Sequence, residues 1–405
     1  MPDSANGKIV TCLGGTGGMG RTLARHLSQV QGIGQLVIAD LDGQAAERFA
    51  AQLAADASCE VVGVAADALD ERGMLNLLAH SDFLANAAGP FFHLGVPTLR
   101  AAIASGTPYL DICDDPEPTL EMLALAEQAK RAGVGAVIGM GASPGLSNLM
   151  ARRAANRLDE VIDCYTAWPL DVEGPGGGTP LTEEANTQVS AAAIHLMEQI
   201  SGTVHAVVAG QLTEVTPLES VTLDYPGLGE GSALTVGHPE PVTLHRSLNV
   251  QGRATNLMLV KRSTEPFIRA LGADLDRGRL TLIQAADELQ RPSLVRIAIA
   301  AIKSLRMQGP GELPPFFALL TGTKDGERVA VGCAATAMPR GMDGATAIPA
   351  AIAVEMLLDN PAPPGVHAPE EIIDPDTLFE RLRPFCAEPR IDVDDLVPIN
   401  ETTLD

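Results

Sequence analysis

The chain has 405 residues, 46% of them hydrophobic, which suffices for two or three domains with their own cores. Its formal net charge of −23 argues against a nucleic-acid partner, because no basic surface is available to displace counterions from phosphates. Without C-x-x-C or H-E-x-x-H patterns, bilayer-length apolar runs or a signal-peptide layout, we expect a cytoplasmic protein that binds neither a metal nor a membrane.

Residues 1–147 alternate strand and helix patterns in regular order. Short apolar runs predict strands at KIVTCLG, QLVIAD, CEVVGVAAD, DFLANAAG, PYLDIC and GAVIGMG, with helical spacing between them. Strands that are apolar throughout suit a parallel sheet covered on both faces. The alternation therefore predicts an α/β fold with a Rossmann-type, doubly wound parallel sheet.

From residue 148 onwards the pattern changes to that of an α+β region. Among several shorter strand-like runs is PVTLHRSL (241–248). The segment PFFALLTGTKDGERVAVGCAATAM (315–338) predicts a β-hairpin that turns at residues 324–326. A strongly apolar helix, TAIPAAIAVEMLLDN (346–360), is predicted after it.

The stretch CLGGTGGMGRTLARHL fits two glycine patterns. Gly15, Gly17 and Gly20 form the G-x-G-x-x-G of a dinucleotide fold. In that fold the first glycine allows a tight turn, the second lets the backbone approach the pyrophosphate, and the third packs helix against strand. The phosphates would sit where the helix begins, near Gly18. The second pattern is G-x-x-x-G-x-G, formed by Gly14, Gly18 and Gly20, and it resembles the short-chain dehydrogenases.

The short-chain interpretation fails on its chemistry, although residues 86–89 (NAAG) resemble that family's N-N-A-G. Those enzymes need a tyrosine with a lysine four residues later to move the proton. The residues four positions after Tyr109, Tyr165 and Tyr225 are cysteine, proline and glycine. We therefore favour the dinucleotide pattern.

Asp40 ends the second predicted strand about twenty residues beyond the glycines, where a carboxylate bonds the adenosine ribose. Because it would repel a 2′-phosphate, NAD is favoured over NADP; the alternative is a strand-end turn aspartate. Asp67 follows the third strand and either contacts adenine or starts the next helix. The predicted cofactor-binding residues are Gly15, Thr16, Gly17, Gly18, Met19, Gly20, Asp40, Asp67, Asn86, Ala87, Ala88 and Gly89.

Three further stretches carry a family resemblance. They are LANAAGPFFHLGVPTLRAAIASGTPYLDICDD, GMGASPGLSNLMARRAA and the tail IPAAIAVEMLLDNPAPPGVHAPEEIIDPDTLFERL. They contain, in order, an A-G-P-F/Y loop, a helix ending in glycine, Y-hydrophobic-D, G-x-x-P-G and a closing GV-x-x-PE segment. This order resembles the saccharopine dehydrogenase (saccharopine reductase) family, with its relatives lysine 6-dehydrogenase, carboxynorspermidine dehydrogenase and homospermidine synthase.

The resemblance implies an NAD(P)-dependent oxidoreductase with a discontinuous nucleotide domain. Residues 1–147 and 343–405 would form the Rossmann domain, and residues 148–342 an inserted α+β domain for substrate binding and dimerisation. It further implies a homodimer that transfers hydride at a C–N bond of a small amino-acid or polyamine-like substrate. A carbonyl or enoyl reductase on the same scaffold, and a non-catalytic NAD(P)-binding redox sensor, remain open.

Loops after the fourth and fifth strands offer groups for the proton that amine oxidation releases. Asp114 is the first candidate, because a carboxylate beside a cationic amine can both bind it and take its proton. His93 and Asp111 are the further catalytic candidates. Alternatively, Asp114 and Asp115 cap the helix that starts at Pro116, and His93 is a residue of a helix amino terminus.

We predict substrate-binding residues in both parts of the chain. Arg246, in GHPEPVTLHR, is the candidate partner of a substrate carboxylate, with His238 nearby, or else a surface arginine. Ser143 and Asn148 flank the G-x-x-P-G turn, where they would hydrogen-bond cofactor or substrate. Phe91 belongs to the loop after the fourth strand.

Overall fold

The structure is a computed structural model that describes residues 7–175, 189, 191–387 and 392–404. The chain divides into two compact units, which are described separately below. Unit 1 comprises Met1–Leu149 and Asp343–Phe385. Unit 2 comprises Met150–Met342 and Cys386–Asp405.

The strands and helices are named in chain order. The strands are β1 (Lys8–Leu13), β2 (Ile33–Asp40), β3 (Glu60–Ala65), β4 (Phe83–Asn86), β5 (Tyr109–Asp111), β6 (Gly135–Val137), β7 (Glu160–Pro169), β8 (Val204–Val208), β9 (Gln211–Val215), β10 (Ser220–Tyr225), β11 (Gly229–Val236), β12 (Ala254–Leu259), β13 (Phe317–Lys324), β14 (Glu327–Ala334), β15 (Gly365–His367) and β16 (Ile399–Thr403). The helices are α1 (Gly18–Leu27), α2 (Gly43–Leu53), α3 (Glu71–Leu78), α4 (Phe91–Ser105), α5 (Pro116–Leu123), α6 (Ala126–Ala132), α7 (Leu146–Ala155), α8 (Ala191–Gln199), α9 (Glu240–Leu248), α10 (Glu265–Asp276), α11 (Leu282–Gln290), α12 (Leu294–Ser304), α13 (Gly341–Asp359), α14 (Pro369–Ile372), α15 (Pro375–Leu382) and α16 (Val393–Leu396).

Unit 1 is built on a seven-stranded parallel sheet in the order β15-β6-β5-β4-β1-β2-β3. The strand order reverses between β1 and β4, so the loops that follow these two strands flank a crevice at the carboxyl edge of the sheet. Its strands are apolar because helices cover both faces, as the uniform hydrophobic runs predicted. The predicted Rossmann fold is confirmed.

Unit 2 contains a nine-stranded mixed sheet along the path β10-β11-β12-β7-β13-β14-β16, with β8 and β9 attached beside β12. Its centre is β7, which pairs in parallel with β12 and antiparallel with β13. Strands β13 and β14 form the predicted hairpin. Asp325 and Gly326 make its two-residue turn, and both have the positive φ that such turns require (54° and 84°).

The last twenty residues lie in a different unit from the one predicted. The resemblance placed residues 386–405 in the nucleotide domain, but β16 pairs with β14 along the edge of the second sheet. Exposed strand edges need a partner or a cover, and the carboxyl-terminal strand covers this one. These residues therefore group with unit 2.

The segment around Arg246 was predicted as a strand and is helix α9. Pro241 occupies the first turn, a position that favours helix initiation, and Asn249 ends the helix in the left-handed conformation (φ 53°). These start and stop signals outweigh the strand-like alternation of P-V-T-L-H-R-S-L. Arg246 thus lies in the last turn of a helix.

Helix α13 is 19 residues long with a mean hydropathy of 1.3, so it is long and apolar enough to cross a membrane. No segment of this kind was predicted from the apolar runs of the sequence. The helix is 56% buried and contains Pro349, and its buried side chains include Ala350 and Val354. Burial of this extent is equally typical of a core helix, so location in the cytoplasm stays a prediction.

Candidate functional site

The glycine turn between β1 and α1 is held by two positions where the chain leaves no room for a side chain. Gly14 has a φ of 71°, and a Cβ there would lie 2.6 Å from the amide nitrogen of Ala88. A Cβ at Gly20 would collide with the carbonyl oxygen of Gly14. The turn, the first helix and the loop after β4 are therefore in direct backbone contact.

Gly17 and Gly18, at the start of α1, face open space instead. A Cβ at Gly18 would meet no atom within 4 Å, and one at Gly17 would lie 3.4 Å from the carbonyl oxygen of Gly14. The chain's own packing thus does not require glycine at either position. The amide of Gly17 donates to the carbonyl oxygen of Gly14 at 3.1 Å, so the amides that remain for a ligand are those in the first turn of α1. A helix amino terminus with no side chains in front of it fits a pyrophosphate. The residues present therefore suit a dinucleotide.

Asp40, at the end of β2, is bound to the glycine turn. Its Oδ2 accepts hydrogen bonds from the amide (3.0 Å) and the hydroxyl (2.7 Å) of Thr16. Asp42, not Asp40, caps α2 by accepting from the amide of Ala45. The alternative role of a turn aspartate thus falls to Asp42. Asp40 is half-buried beside the position where an adenosine ribose would lie in this fold.

The other predicted cofactor residues differ in exposure. Met19 is half-buried in the first turn of α1. Asp67 is exposed, and its Oδ1 accepts from the amide of Leu69 at 2.9 Å, as expected for a residue that shapes the start of α3. Ala87 and Ala88 are half-buried in the loop after β4, which brings them to the crevice beside the glycine turn.

A chain of buried hydrogen bonds joins the loops that follow β4, β5 and β6. Asn86 accepts from the amide of Ala88 (3.0 Å) and donates to the hydroxyl of Tyr109 (2.9 Å). Tyr109 in turn donates to Oδ2 of Asp111 at 2.8 Å. Oδ1 of Asp111 accepts from the amides of Gly139 (2.7 Å) and Cys113 (3.0 Å). All three side chains are fully buried.

Asp111 is fully buried and cannot contact a substrate, as a catalytic residue would have to. Burial raises the pKa of its carboxyl to about 6, while the hydrogen bonds from Gly139, Cys113 and Tyr109 lower it and the charge of Asp114 raises it. A side chain without solvent exposure and with three donors of its own unit holds loops in place. Asp111 is therefore a positioning residue in this structure, in contrast to its selection as a catalytic candidate.

The loop candidates for proton transfer have distinct surroundings. Asp114 is half-buried and lies close enough to Asp111 to raise the pKa of that buried carboxyl. Asp115 precedes α5 but makes no side-chain capping bond to it. His93 is exposed in the first turn of α4. Asp114 and His93 thus both remain accessible candidates.

Phe91 does not face the crevice as predicted for a substrate-binding residue. Its side chain is buried in the core of unit 1, where it packs beside Gly95. The next residue, Phe92, is the exposed aromatic side chain of this loop. The two residues are neighbours in the first turn of α4. The sequence alone does not show which of them faces the core.

Asn148 ties the G-x-x-P-G turn to the tail of unit 1. Its Oδ1 accepts from the amide of Gly145 (3.0 Å), and its Nδ2 donates to Oε2 of Glu370 (2.9 Å). Asn148 and Glu370 are both buried, and Ser143 is half-buried in the same turn. Glu370 belongs to the GV-x-x-PE segment, so this hydrogen bond gives that segment a structural role.

Unit 2 contains a separate cluster of buried polar groups on one end of its sheet. His238 Nδ1 lies 2.9 Å from Oε2 of Glu240, and the carboxylate of Glu240 is fully buried. The ring of Trp168 lies 5.8 Å from that of His238. Trp168 donates to Oδ1 of Asn256 (2.8 Å), and Nδ2 of Asn256 donates to the hydroxyl of Thr166 (2.9 Å). We call these five residues the Trp168 cluster.

Sequence reasoning missed four members of this cluster and selected His238 together with Arg246. Arg246 is exposed on α9, whereas His238 is 5% exposed. The chain contains a single tryptophan, and Asn256 lies with Thr255 in the otherwise apolar strand ATNLML. Those two irregularities were the available signals, but their pairing depends on the register of β7 with β12.

Comparison with known proteins identifies relatives of this architecture. Residues 10–137 match the family described as the saccharopine dehydrogenase NADP binding domain. An apo saccharopine dehydrogenase (L-Glu forming) from Saccharomyces cerevisiae is 14% identical with a TM-score of 0.60, over 98% of this chain and 100% of that one. A homospermidine synthase from Legionella pneumophila, in complex with NAD, is 13% identical with a TM-score of 0.55, over 99% and 92%.

The two structural likenesses, at these low identities, show a shared fold. The family match shows more, because it covers the glycine turn, Asp40 and the loop after β4. The resemblance identified from the sequence is thereby confirmed.

The glycine turn yields a prediction that separates binding from folding. Gly17→Val places a side chain in the open space before α1, so the protein should fold normally but lose NAD(P)H binding. Gly20→Ala forces a Cβ against the backbone of Gly14, so it should lower the melting temperature of unit 1. NADH fluorescence titration and circular-dichroism melting check both variants. Retained binding by Gly17→Val would place the cofactor elsewhere.

The buried carboxyl of Asp111 predicts a pH dependence of stability. Because its pKa is raised from 3.8 to about 6 in the folded protein, its stabilising contribution is present below pH 3.8 and is lost as pH rises through about 6. Asp111→Asn removes this titration. Relative to that variant, the wild type should lose about 2.4 kcal/mol of unfolding free energy between pH 4 and 7. Urea unfolding at several pH values measures it; parallel profiles would contradict it.

Proposed function

We propose that this chain is an NAD(P)-dependent oxidoreductase of the saccharopine dehydrogenase-like type, and that it transfers hydride at a C–N bond of an amino-acid or polyamine-like substrate; the family match over residues 10–137 and the fold shared with two solved structures support this. The printed names of the two similar structures give an L-Glu-forming dehydrogenase and a homospermidine synthase. We carry the corresponding substrate class, an amine that is an amino acid or a polyamine, to this chain as part of the proposal.

The observation that carries the proposal is the chemistry of the Trp168 cluster. The side chain of Glu240 has no solvent exposure. The half-buried indole of Trp168 lies next to His238. Buried carboxylates are rare because desolvation penalises their charge, and Glu240 is paired with His238. The half-buried indole face of Trp168 attracts an ammonium group. It suits an amine substrate and offers little to a neutral ketone or enoyl compound.

Unit 1 supports the redox half of the proposal. The nicotinamide, when bound, supplies the hydride chemistry, and the protein binds and orients both reactants and handles one proton. The amides in the first turn of α1, from Gly18 onwards, would bind the pyrophosphate, and Asp40 the ribose. The hydrogen-bonded chain from Asn86 to Asp111 holds the loops after β4, β5 and β6 together at the same edge of the sheet.

We assign to Asp114 the role of accepting the proton that the substrate ammonium loses. It is half-buried on the loop after β5, and its carboxylate lies near the buried Asp111. A substrate ammonium must lose a proton before hydride leaves its carbon, so the reaction should accelerate as pH rises. Asp114 would hold that ammonium and accept the proton, while Asp111 keeps the loop in place.

The substrate class can be tested by a screen at alkaline pH. Amino acids, diamines and polyamines are offered with NAD or NADP, and reduced cofactor is followed by its absorbance. Ketones and enoyl compounds are offered with NADH or NADPH in parallel. We expect turnover with an amine. Turnover confined to ketones or enoyl compounds would overturn the proposal, and cofactor binding without any turnover would favour the redox sensor.

Asp114→Asn keeps the size of the side chain but removes its charge. We expect a fall in turnover of about 100-fold, with an NAD(P) dissociation constant unchanged within a factor of about two. His93→Gln is the matched variant, because His93 is exposed in the first turn of α4 and is the other accessible candidate. Should His93→Gln be inactive while Asp114→Asn turns over normally, the proton role belongs to His93.

Cofactor choice can be tested at Asp40. Asp40→Asn retains an oxygen that accepts from Thr16 but removes the negative charge that would repel a 2′-phosphate. The ratio of NADP to NAD affinity should rise by about 10-fold or more, measured by calorimetry. Asp42→Asn, which alters the cap of α2, is the matched control and should leave the ratio unchanged. Tighter NADP binding by the wild type would refute the assignment.

A further inference from the structure

Helix α12, in unit 2, turns a largely apolar surface to solvent. A single one of its eleven residues, Ala300, is buried. A surface helix normally buries an apolar stripe against its own domain and exposes a polar face. Here the large apolar side chains are exposed by 46% to 83%. They are Leu294, Val295, Ile297, Ile299 and Ile302 on α12, with Leu305 just after it. We call these six residues the α12 surface.

The most exposed members of the α12 surface form one row along the helix. Leu294, Ala298, Ile302 and Leu305 follow each other at spacings of four, four and three residues, which places them on one face. All four are exposed, and the buried Ala300 lies on the opposite face. The apolar face of α12 therefore points away from the core of its own unit. Contiguous exposed apolar surface of this kind marks a site that another molecule covers.

Basic side chains adjoin this face. Lys303 directly follows Ile302 and Arg306 directly follows Leu305, and both cations are exposed. They line a groove of about 850 Å³ between α10 and the end of α12, together with Arg269, Arg277, Arg279 and one carboxylate, Asp274. That carboxylate is already paired with Arg279 and Arg296. The surface beside α12 is thus locally positive, although the chain as a whole carries a net charge of −23.

An exposed aliphatic face flanked by cations is typical of a helix that lies in a membrane interface. In that position the aliphatic side chains enter the acyl boundary, while lysine and arginine reach the headgroups with their long stems. We propose that the α12 surface binds a bilayer with anionic headgroups, so that the protein attaches to a membrane from one side. The expectation of no membrane partner rested on the lack of bilayer-length apolar runs, which a helix lying in the plane of the interface does not need.

The composition of the α12 surface favours lipid over a protein partner. Its six members are all leucine, isoleucine or valine. Protein interfaces are enriched in aromatic residues, methionine and arginine, and leucine and valine are under-represented among the residues that dominate their binding energy. Hydrocarbon makes no such demand, because the hydrophobic effect is non-directional and follows the apolar area removed from water.

The net charge of the chain does not prevent this contact. At physiological ionic strength, exposed charges more than about 8 Å apart are largely screened, so the headgroups meet the local cations and not the distant carboxylates. Each lysine or arginine near an anionic surface strengthens binding about fivefold. Apolar insertion on the order of one acyl chain is marginal by itself, and a basic patch supplies the second attraction that stable attachment takes.

Co-flotation with lipid vesicles tests the apolar part of the proposal. The wild type should float with vesicles of phosphatidylcholine and phosphatidylglycerol in equal parts. The double variant Ile302→Glu and Leu305→Glu should lower the partition coefficient at least about 100-fold, because it puts two carboxylates into the acyl boundary. The control is Leu212→Glu with Leu228→Glu, which adds the same charge at two exposed apolar positions outside α12 and should bind as the wild type does.

The basic part has its own variant. Lys303→Gln with Arg306→Gln should weaken binding to the mixed vesicles about 20-fold and leave binding to pure phosphatidylcholine vesicles unchanged. Lys8→Gln with Arg131→Gln removes the same charge at exposed positions of unit 1 and should have no effect. High salt should weaken the binding of the wild type to mixed vesicles and abolish the difference between the two double variants.

Insertion can be observed directly by fluorescence. In Ile302→Trp, brominated lipid should quench emission beyond the quenching of Trp168 in the wild type. A wild type that does not float with mixed vesicles, or a glutamate variant of α12 that floats equally well, would overturn the proposal. So would an association of chains, seen by light scattering without lipid binding, that this variant abolishes, because a protein would then cover α12. NADH binding and turnover on the same samples keep the result separate from the proposed function, which does not depend on it.

Discussion

The buried carboxylate of Asp111 is the constraint on which the edge of the nucleotide-binding sheet depends. Three separate loops leave that edge. Each would be free to move if its backbone amides were hydrogen-bonded only to water. Asp111 and Tyr109 on β5, with Asn86 on β4, convert the loops into one hydrogen-bonded layer, in which amides of Ala88, Cys113 and Gly139 are all satisfied. The cost is the desolvation of a carboxyl group, visible as its raised pKa. A fixed layer of this kind is what precise placement of a cofactor requires.

Much of unit 1 could be predicted from the sequence, because its strands are buried on both faces and so are apolar throughout. The glycine turn, the strand-end Asp40 and the two-residue hairpin turn in unit 2 were likewise visible as local patterns. In each case a few adjacent residues determine the backbone conformation. The family match over residues 10–137 agrees with that local reading.

The parts that could not be predicted depend on residues far apart in the chain. Gly139 bonds to Asp111 from 28 residues away, and Trp168 meets Asn256 across 88 residues. No local pattern indicates either pairing. Helix α9 illustrates a different limit, because its alternating side chains suit a strand while its Pro241 and Asn249 set the ends of a helix. The carboxyl-terminal strand lies in the second sheet because β14 has an edge to cover, which its own sequence does not reveal.

Unit 1 is completed by Asp343–Phe385, a segment that is synthesised long after the first part of the same unit. Strand β15 closes the edge of the parallel sheet beside β6, and α13 contributes ten buried residues, yet both come from the last quarter of the sequence. Synthesis proceeds from the amino terminus, so the first six strands leave the ribosome about two hundred residues before their last neighbour. During that interval the edge of β6 has neither β15 nor its cover. An unpaired strand edge is a template for pairing with another chain, so this edge is the last part of the parallel sheet to be protected during synthesis.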